Sequence, residues 1–409
     1  MIKKSLEFNK PTIQPRGDKT PRRMVFYPAD ISDGCTQFRF EWPRQTLNTE
    51  RMAEIQLTNV IQDVIIHRPN GENFINPVYT LSDTVVLQRP VIPKYLQFAK
   101  QIRFAQNEIN KKGNVPFRFI IDVDDVVHGD DIADFNVAKV GYANNERFDT
   151  FRRVVDLSDE LHVASPYMQK YYRDVLDFER VTYRPNFLPK YLFEGFYDER
   201  IIRERYEKHQ NKPRIVWAGS WTHIDIGDKN KGVDDFSKIK KFIKDTKDKF
   251  QWVFYGAHPL GFESYIKDGT FEYIPWSSIM QYPQKLWDLE PTIFLAPLDN
   301  NMFNRCKSNI KLTEMGAMGI AGIYQNIEPY DEAPLKFDTV EEIEGHIEFL
   351  LEDWENYAKV IRGMRKHSEQ FFMEDPENMK YLMASYLVPY GNKRRGAISP
   401  KLEEWQHKE

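Results

Sequence analysis

The stretch Phe303-Asn-Arg-Cys-Lys-Ser-Asn-Ile-Lys-Leu-Thr-Glu-Met-Gly-Ala-Met-Gly319 decides how this chain is read. It follows Thr292-Ile-Phe-Leu-Ala-Pro-Leu298, an apolar run with the length of a buried strand. Arg305, Lys307, Ser308 and Lys311 gather around a predicted helix start, where cations, a hydroxyl and free backbone N–H groups favour a phosphate or diphosphate. Glu314 sits one turn beyond Lys311 on the same face, placed for a carboxylate that accepts two vicinal ribose hydroxyls. The competing reading is an amphipathic helix whose Lys and Glu are solvated.

Upstream, the same alternation of strand and helix recurs. Arg214-Ile-Val-Trp-Ala-Gly-Ser220, Gln251 to Ala257, Phe271 to Trp276 and Ile320 to Tyr324 read as strands, with a helix expected over Asp234 to Phe250. A first series begins at Arg23-Met-Val-Phe-Tyr-Pro-Ala29 and a Ser32-Asp-Gly34 turn, followed by a helical stretch through Leu47. It continues through strands at Asp63 to His67, Thr84 to Gln88, Phe117 to Ile121, Leu161 to Ser165 and Val181 to Tyr183. Helical patterns lie between them at Tyr95 to Asn110, Arg147 to Leu157 and Pro166 to Leu176. Such alternation predicts α/β architecture with mostly parallel sheets covered on both faces.

The length of 409 residues suits two domains. The expected organisation is a basic arm over 1–22, a Rossmann-like domain over 23–190 and a linker over 191–212. A second Rossmann-like domain over 213–335 would hold a nucleotide, and helices and a tail would fill 336–409, with ligands in a cleft between the domains. A 41% hydrophobic and 14% aromatic content excludes a disordered chain. Two cysteines, Cys35 and Cys306, exclude a disulfide framework or thiolate cluster and point to a reducing compartment. No run approaches a membrane span, so the expectation is a cytoplasmic protein without integral membrane association.

The formal charge of -4 excludes a globally basic nucleic-acid binder. That total nevertheless hides segregation, since residues 1–23 and 201–250 each carry a net +5 and residues 251–350 are acidic. The basic run Lys238, Lys240, Lys241, Lys244, Lys247 and Lys249 would suit a DNA backbone or an anionic surface. It equally fits a solvated outer helix.

In an open α/β sheet, ligands bind beyond the carboxyl ends of the strands. Besides Phe303 to Gly319, those ends offer Gly219 and Ser220, the long loop to Lys231-Gly232, and Tyr255-Gly256. The first series offers Asp33-Gly34-Cys35 with Arg39, and Asp122-Val-Asp-Asp-Val-Val-His128. Asp122, Asp124, Asp125 and His128 are too polar for a core without partners. They are either a functional cluster or a structural one paired with arginines. Cys35 lacks a supporting histidine and acid for a nucleophile.

Lys231-Gly232, Tyr255-Gly256 and the block from Phe303 to Gly319 together resemble the family 4-like (group 1) glycosyltransferases of GT-B fold. The resemblance implies two Rossmann-like domains with parallel sheets and a nucleotide-sugar co-substrate, UDP-linked, with no metal or other cofactor. It makes the first the acceptor domain, with Asp122, Asp124, Asp125 and His128 as acceptor-binding or proton-removing groups. It puts Lys231 and Lys307 on the donor diphosphate, joined by Asn304, Arg305, Ser308, Asn309 and Lys311 about the helix start. Glu314 would hold the ribose, and the backbone near Pro275 and Trp276 the base. Gly34, Cys35 and Arg39 would face the phosphates, with Gly219, Ser220 and Gly256 lining the site. Where many members carry a second glutamate, this chain has Cys306, which leaves the sugar's identity open. The implied mechanism is retaining.

Asp122-Val-Asp124 also fits the metal motif of GT-A enzymes or a haloacid-dehalogenase-type phosphatase, but neither accounts for the Lys231 and Lys307-to-Glu314 blocks. The Asp-Gly-Cys-x-x-x-Arg opening with Glu41-Trp-Pro, and the Asn-x-x-Lys-Ser-Asn-x-Lys helix, are similar to bacteriophage glycosyltransferases that decorate hydroxymethylated pyrimidines. This implies duplex DNA as acceptor and partner, in host cytoplasm. A polysaccharide, lipid or other glycan acceptor, and a non-catalytic GT-B-like binding protein, are the alternatives.

Overall fold

Runs such as Thr84–Gln88 and Arg118–Val123 are apolar on both faces, and a strand of that kind needs cover above and below it. In the computed structural model, which describes residues 21–30, 34–67, 69, 73–225 and 233–388, they lie at the centre of an all-parallel sheet. Its strands are β1 (Arg22–Tyr27), β2 (Ala53–Leu57), β5 (Thr84–Gln88), β6 (Arg118–Val123), β7 (Glu160–Val163) and β8 (Val181–Tyr183). A short antiparallel hairpin, β3 (Ile65–His67) with β4 (Asn73–Ile75), stands apart from it. The order is β2-β1-β5-β6-β7-β8, and the register sets Gln88 beside Asp122.

The second sheet is also all parallel, in the order β11-β10-β9-β12-β13-β14. Its strands are β9 (Arg214–Gly219), β10 (Gln251–Gly256), β11 (Glu272–Pro275), β12 (Ile293–Ala296), β13 (Ala321–Gln325) and β14 (Lys336–Phe337). Val216, Val253, Phe254 and Ile293 form its buried centre.

The chain divides into two units. One comprises residues up to Val127, Asn145–Arg184 and from Pro376 on; the other comprises His128–Asn144 and Pro185–Asp375. The stretch read as a linker, 191–212, contains the helix Glu199–Lys208 and belongs to the second unit. Asp198 caps that helix by accepting from the N–H groups of Arg200 and Ile201, which explains why so charged a run folds. The helical pattern after 340 forms three helices, Val340–Glu352, Trp354–Ser368 and Pro376–Leu387. Only the last joins the first unit, where the backbone carbonyl of Tyr386 accepts from Thr84 Oγ1 and Arg118 Nη1.

The helix expected over Asp234 to Phe250 is shorter, Lys240–Asp245. The Asp234 carboxylate accepts from Lys240 Nζ and from the Phe236 N–H, which holds the approach as turns. No helix among the described residues is long and apolar enough to cross a membrane.

Candidate functional site

At the carboxyl ends of β9 and β10, two glycines meet. Gly219 and Gly256 are register partners, and Gly256 has φ +99°. A Cβ on Gly256 would come 2.5 Å from the Gly219 carbonyl oxygen and 2.5 Å from the Trp276 ring. The pair therefore allows a bare backbone shelf with an indole laid against it. Gly256→Ala is expected to destabilise the protein by about 1–3 kcal/mol and to displace Trp276. Urea titration with indole fluorescence would check this; an unchanged midpoint and spectrum would contradict it.

Trp276 follows β11 and is 50% exposed. Behind it, the rings of Tyr255 and Tyr282 stack with centroids 5.5 Å apart at 19°, and the Tyr282 ring lies 5.9 Å from Trp276 at 28°. An exposed planar ring backed by buried aromatics suits a heterocyclic base. Ser220, next along, bonds to the Thr222 hydroxyl at 2.7 Å.

The third element is the helix Ile310–Met318 after β12. Asn309 opens it without a side-chain cap, so its first N–H groups, which no intrahelical carbonyl can serve, get no acceptor from that side chain either. Lys307 Nζ rests 4.6 Å from the Phe303 ring centroid and has no carboxylate partner among the described residues. Ser308 Oγ accepts from Asn186 Nδ2 at 3.0 Å. One turn in, Glu314 is buried; its Oε2 accepts from Tyr282 OH at 3.2 Å and Lys311 Nζ at 3.1 Å. Burial, then the Glu314 charge, pushes the Tyr282 hydroxyl well above its ordinary pKa, so it stays a proton donor to that carboxylate. Glu314 Oε1 has no partner among the described residues.

Two residues expected at this helix start face elsewhere. Asn304 is buried, its amide donating to Asp235 Oδ1 at 2.7 Å and the Asp299 carbonyl at 3.0 Å. Arg305 pairs with Glu328. Cys306 is fully buried. Lys231 and Gly232 lie outside the described residues, as do Asp33 and the basic arm.

In the first unit, the expectation for Arg39 and Asp122 gives way to a structural pairing. The helical stretch after Gly34 includes a π-helical turn, Gln37–Glu41, that turns Arg39 inward. Both side chains have no solvent exposure, with Arg39 Nε to Asp122 Oδ1 at 2.9 Å and Arg39 Nη2 to Oδ2 at 2.7 Å. Arg184 Nη2 adds a bond to Oδ2 at 2.9 Å. Burial alone would raise the Asp122 pKa, but the charges of Arg39 and Arg184 hold it far below the usual carboxylate range. Such a group is a poor proton acceptor, and Arg39 is not presented to a phosphate.

Asp124 pairs with Arg89 Nε at 2.9 Å, and Asp125 gives its carbonyl to Tyr172 OH at 2.9 Å. Ligand atoms of Cys35, Asp124 and Asp125 lie within 4.8 Å of one another, a grouping whose charge Arg89 already offsets. His128 belongs to the second unit, where its Nδ1 meets Asp131 Oδ2 at 2.7 Å.

His223, absent from the sequence-based candidates, stands in the turn Trp221–His223 just past Gly219. Its Nδ1 is 2.6 Å from Asp235 Oδ2. The partners are twelve residues apart across the loop that holds Lys231, and no spacing rule would have joined them.

No protein-family model matches the sequence, and no curated protein matches it. Solved structures do. HepE of Anabaena, in complex with UDP and glucose, superimposes with a TM-score of 0.51 at 9% identity, covering 86% of this chain and 95% of that one. OtsA in its apo form gives 0.51 at 11% identity, over 89% and 99%. An E. coli structure, trehalose-6-phosphate bound with UDP-2-fluoro glucose, gives 0.50 at 9%, over 90% and 99%. At such identities the likeness concerns architecture: the chain has the GT-B fold, with two parallel six-stranded sheets and their helices.

Proposed function

We propose that this protein is a glycosyltransferase that moves a hexose from a UDP-linked donor to a hydroxyl acceptor. The observation that carries the reading is the second unit's set of strand ends. An exposed indole, a buried carboxylate with one open oxygen joined to it through Tyr282, and an uncapped helix start with Lys307, which meets no carboxylate among the described residues, offer partners for base, ribose and diphosphate in the order a nucleotide presents them. The fold shared with HepE and the E. coli structure, whose ligands include UDP with glucose and UDP-2-fluoro glucose, supports the same donor class.

In this reading Lys307, Lys231 and the helix-start N–H groups meet the charge that grows on the departing diphosphate. Transfer is retaining and needs no metal. The acceptor is a hydroxyl compound, with hydroxymethylated DNA as the specific case to try. Its support is reduced by pairing within the basic run, where Lys240, Lys241 and Lys247 meet Asp234, Asp245 and Asp248.

The test is thermal unfolding with UDP and a panel of UDP-hexoses, then turnover with and without EDTA. At a ligand concentration a hundred times Kd, stabilisation of about 2.7 kcal/mol is expected. Absence of any shift and of sugar release would dismiss the donor reading, and abolition of turnover by EDTA would dismiss the metal-free mechanism.

A further inference from the structure

A sugar presents hydroxyls, and a protein that reads them needs acceptors. In the second unit's strand-end cluster the cations and helix N–H groups are donors, Glu314 Oε2 is already occupied, and its open Oε1 is the oxygen assigned to the ribose. His223 supplies what is missing. Its ring stands edge-on to Trp217, with centroids 5.9 Å apart at 86°, and against Gly219, where a Cβ would lie 3.2 Å from Cδ2. The ring is thus fixed beside the glycine shelf.

Its orientation is set by Asp235, a positioning residue. Asp235 is buried and its Oδ1 accepts from Asn304 Nδ2 at 2.7 Å and the Asp299 N–H at 2.8 Å. Oδ2 faces His223 Nδ1 at 2.6 Å. A carboxylate so placed can only accept, so Nδ1 carries the proton and Nε2 keeps a lone pair. Nε2 has no hydrogen-bond partner among the described residues, and the ring is not sealed off, at 18% side-chain exposure. Asp235 also ties the β9 turn to the loop leading to Lys307, so the imidazole and the lysine are held in one frame.

The charged groups acting on the ring are Asp235, Lys307 and Lys311. Burial and then the Lys307 charge, with a smaller contribution from Lys311, outweigh Asp235 and lower the imidazole pKa from its ordinary value, which favours the neutral ring.

We propose that His223 Nε2, aimed by Asp235, accepts a hydrogen bond from a hydroxyl of the donor's sugar and thereby sets sugar specificity. This rests on the donor reading above and goes beyond it by naming the residue that distinguishes the sugar from the nucleotide.

The experiment is calorimetric titration with UDP, UDP-glucose, UDP-galactose and UDP-N-acetylglucosamine, read as the affinity gained by adding the sugar to UDP. His223→Ala should reduce that gain about tenfold for the best-bound sugar and leave the UDP affinity within about twofold. His223→Gln, which keeps an acceptor oxygen, should recover part of it. Asp235→Asn, whose amide can donate to Nδ1 and move the ring proton to Nε2, should lose the gain, and Asn304 and Asp299 retain an acceptor there. In the wild type the gain should fade as pH falls through the ring's own pKa, which lies below the free imidazole value of about 6.5. UDP affinity and melting temperature serve as folding controls. Equal loss of UDP and UDP-sugar affinity in His223→Ala, no change in either, or no sugar gain in the wild type would overturn the proposal. A wild type that binds neither UDP nor any UDP-hexose would instead remove the donor reading, and this inference with it.

Discussion

Lys307→Ala lowers turnover of a UDP-hexose by about a hundred- to a thousandfold, with UDP affinity reduced far less. The size follows from removing one preorganised charge from a site where negative charge develops. Lys307 qualifies because no carboxylate among the described residues offsets it; its neighbour is the face of Phe303. A ground-state diphosphate already carries charge, so some binding is lost too, but the bridging oxygen gains charge only as the sugar leaves.

Glu314→Ala should behave in the opposite way. The buried carboxylate holds Tyr282 and Lys311 and offers one oxygen to the ribose, so UDP affinity falls about ten- to a hundredfold while turnover at saturation changes little. Single-turnover rates and calorimetric Kd values separate the two effects. Negligible, equal changes in both variants would sink the donor assignment.

Asp122→Ala is expected to destabilise the protein by about 3–5 kcal/mol, because it strands Arg39 and Arg184 in the interior without their counter-charge. The same pairing sets a pH dependence. A carboxyl whose folded pKa is depressed contributes fully above its unfolded value of about 3.9, and loses that contribution as pH falls from there through the folded value. Denaturant titration of wild type and variant at pH 7 and pH 3 would show the difference narrowing in acid. A variant of unchanged stability that had lost only turnover would instead restore Asp122 to the chemistry.

Where the sequence was legible, the physics was local. Thr84–Gln88, Val181–Tyr183 and Pro166–Leu176 have the predicted limits because fully buried strands and a serine-capped, proline-led helix declare themselves in a few residues. Ser165 accepts from the Met168 N–H, and Pro166 follows it. The edge strand Ala53–Leu57, paired with β1, is not among the strands expected: Ala53 and Glu54 are weak strand formers, although its alternation of buried and exposed residues is the pattern of a half-buried strand.

Site residues divided in the same manner. Lys307, Lys311 and Glu314 lie within one helix start, so their juxtaposition could be read from spacing. The Asp122 cluster could not be resolved that way, since its arginines are 83 and 62 residues distant in the chain. An arginine reads as a phosphate ligand or a core ion pair until its depth is known, and depth is a property of the assembled sheet.

The helix Pro376–Leu387 carries a consequence for how the molecule is made. It contributes the Tyr386 carbonyl to Thr84 and Arg118, and the Tyr381 hydroxyl to the Tyr183 carbonyl, all in the unit built mainly from earlier residues. During synthesis, that unit waits for a segment translated after the whole of Pro185–Asp375, whereas the other unit has all its residues in hand by then. The order of translation is therefore the reverse of the order of completion, and residues 23–190 alone would be a sheet lacking part of its own cover.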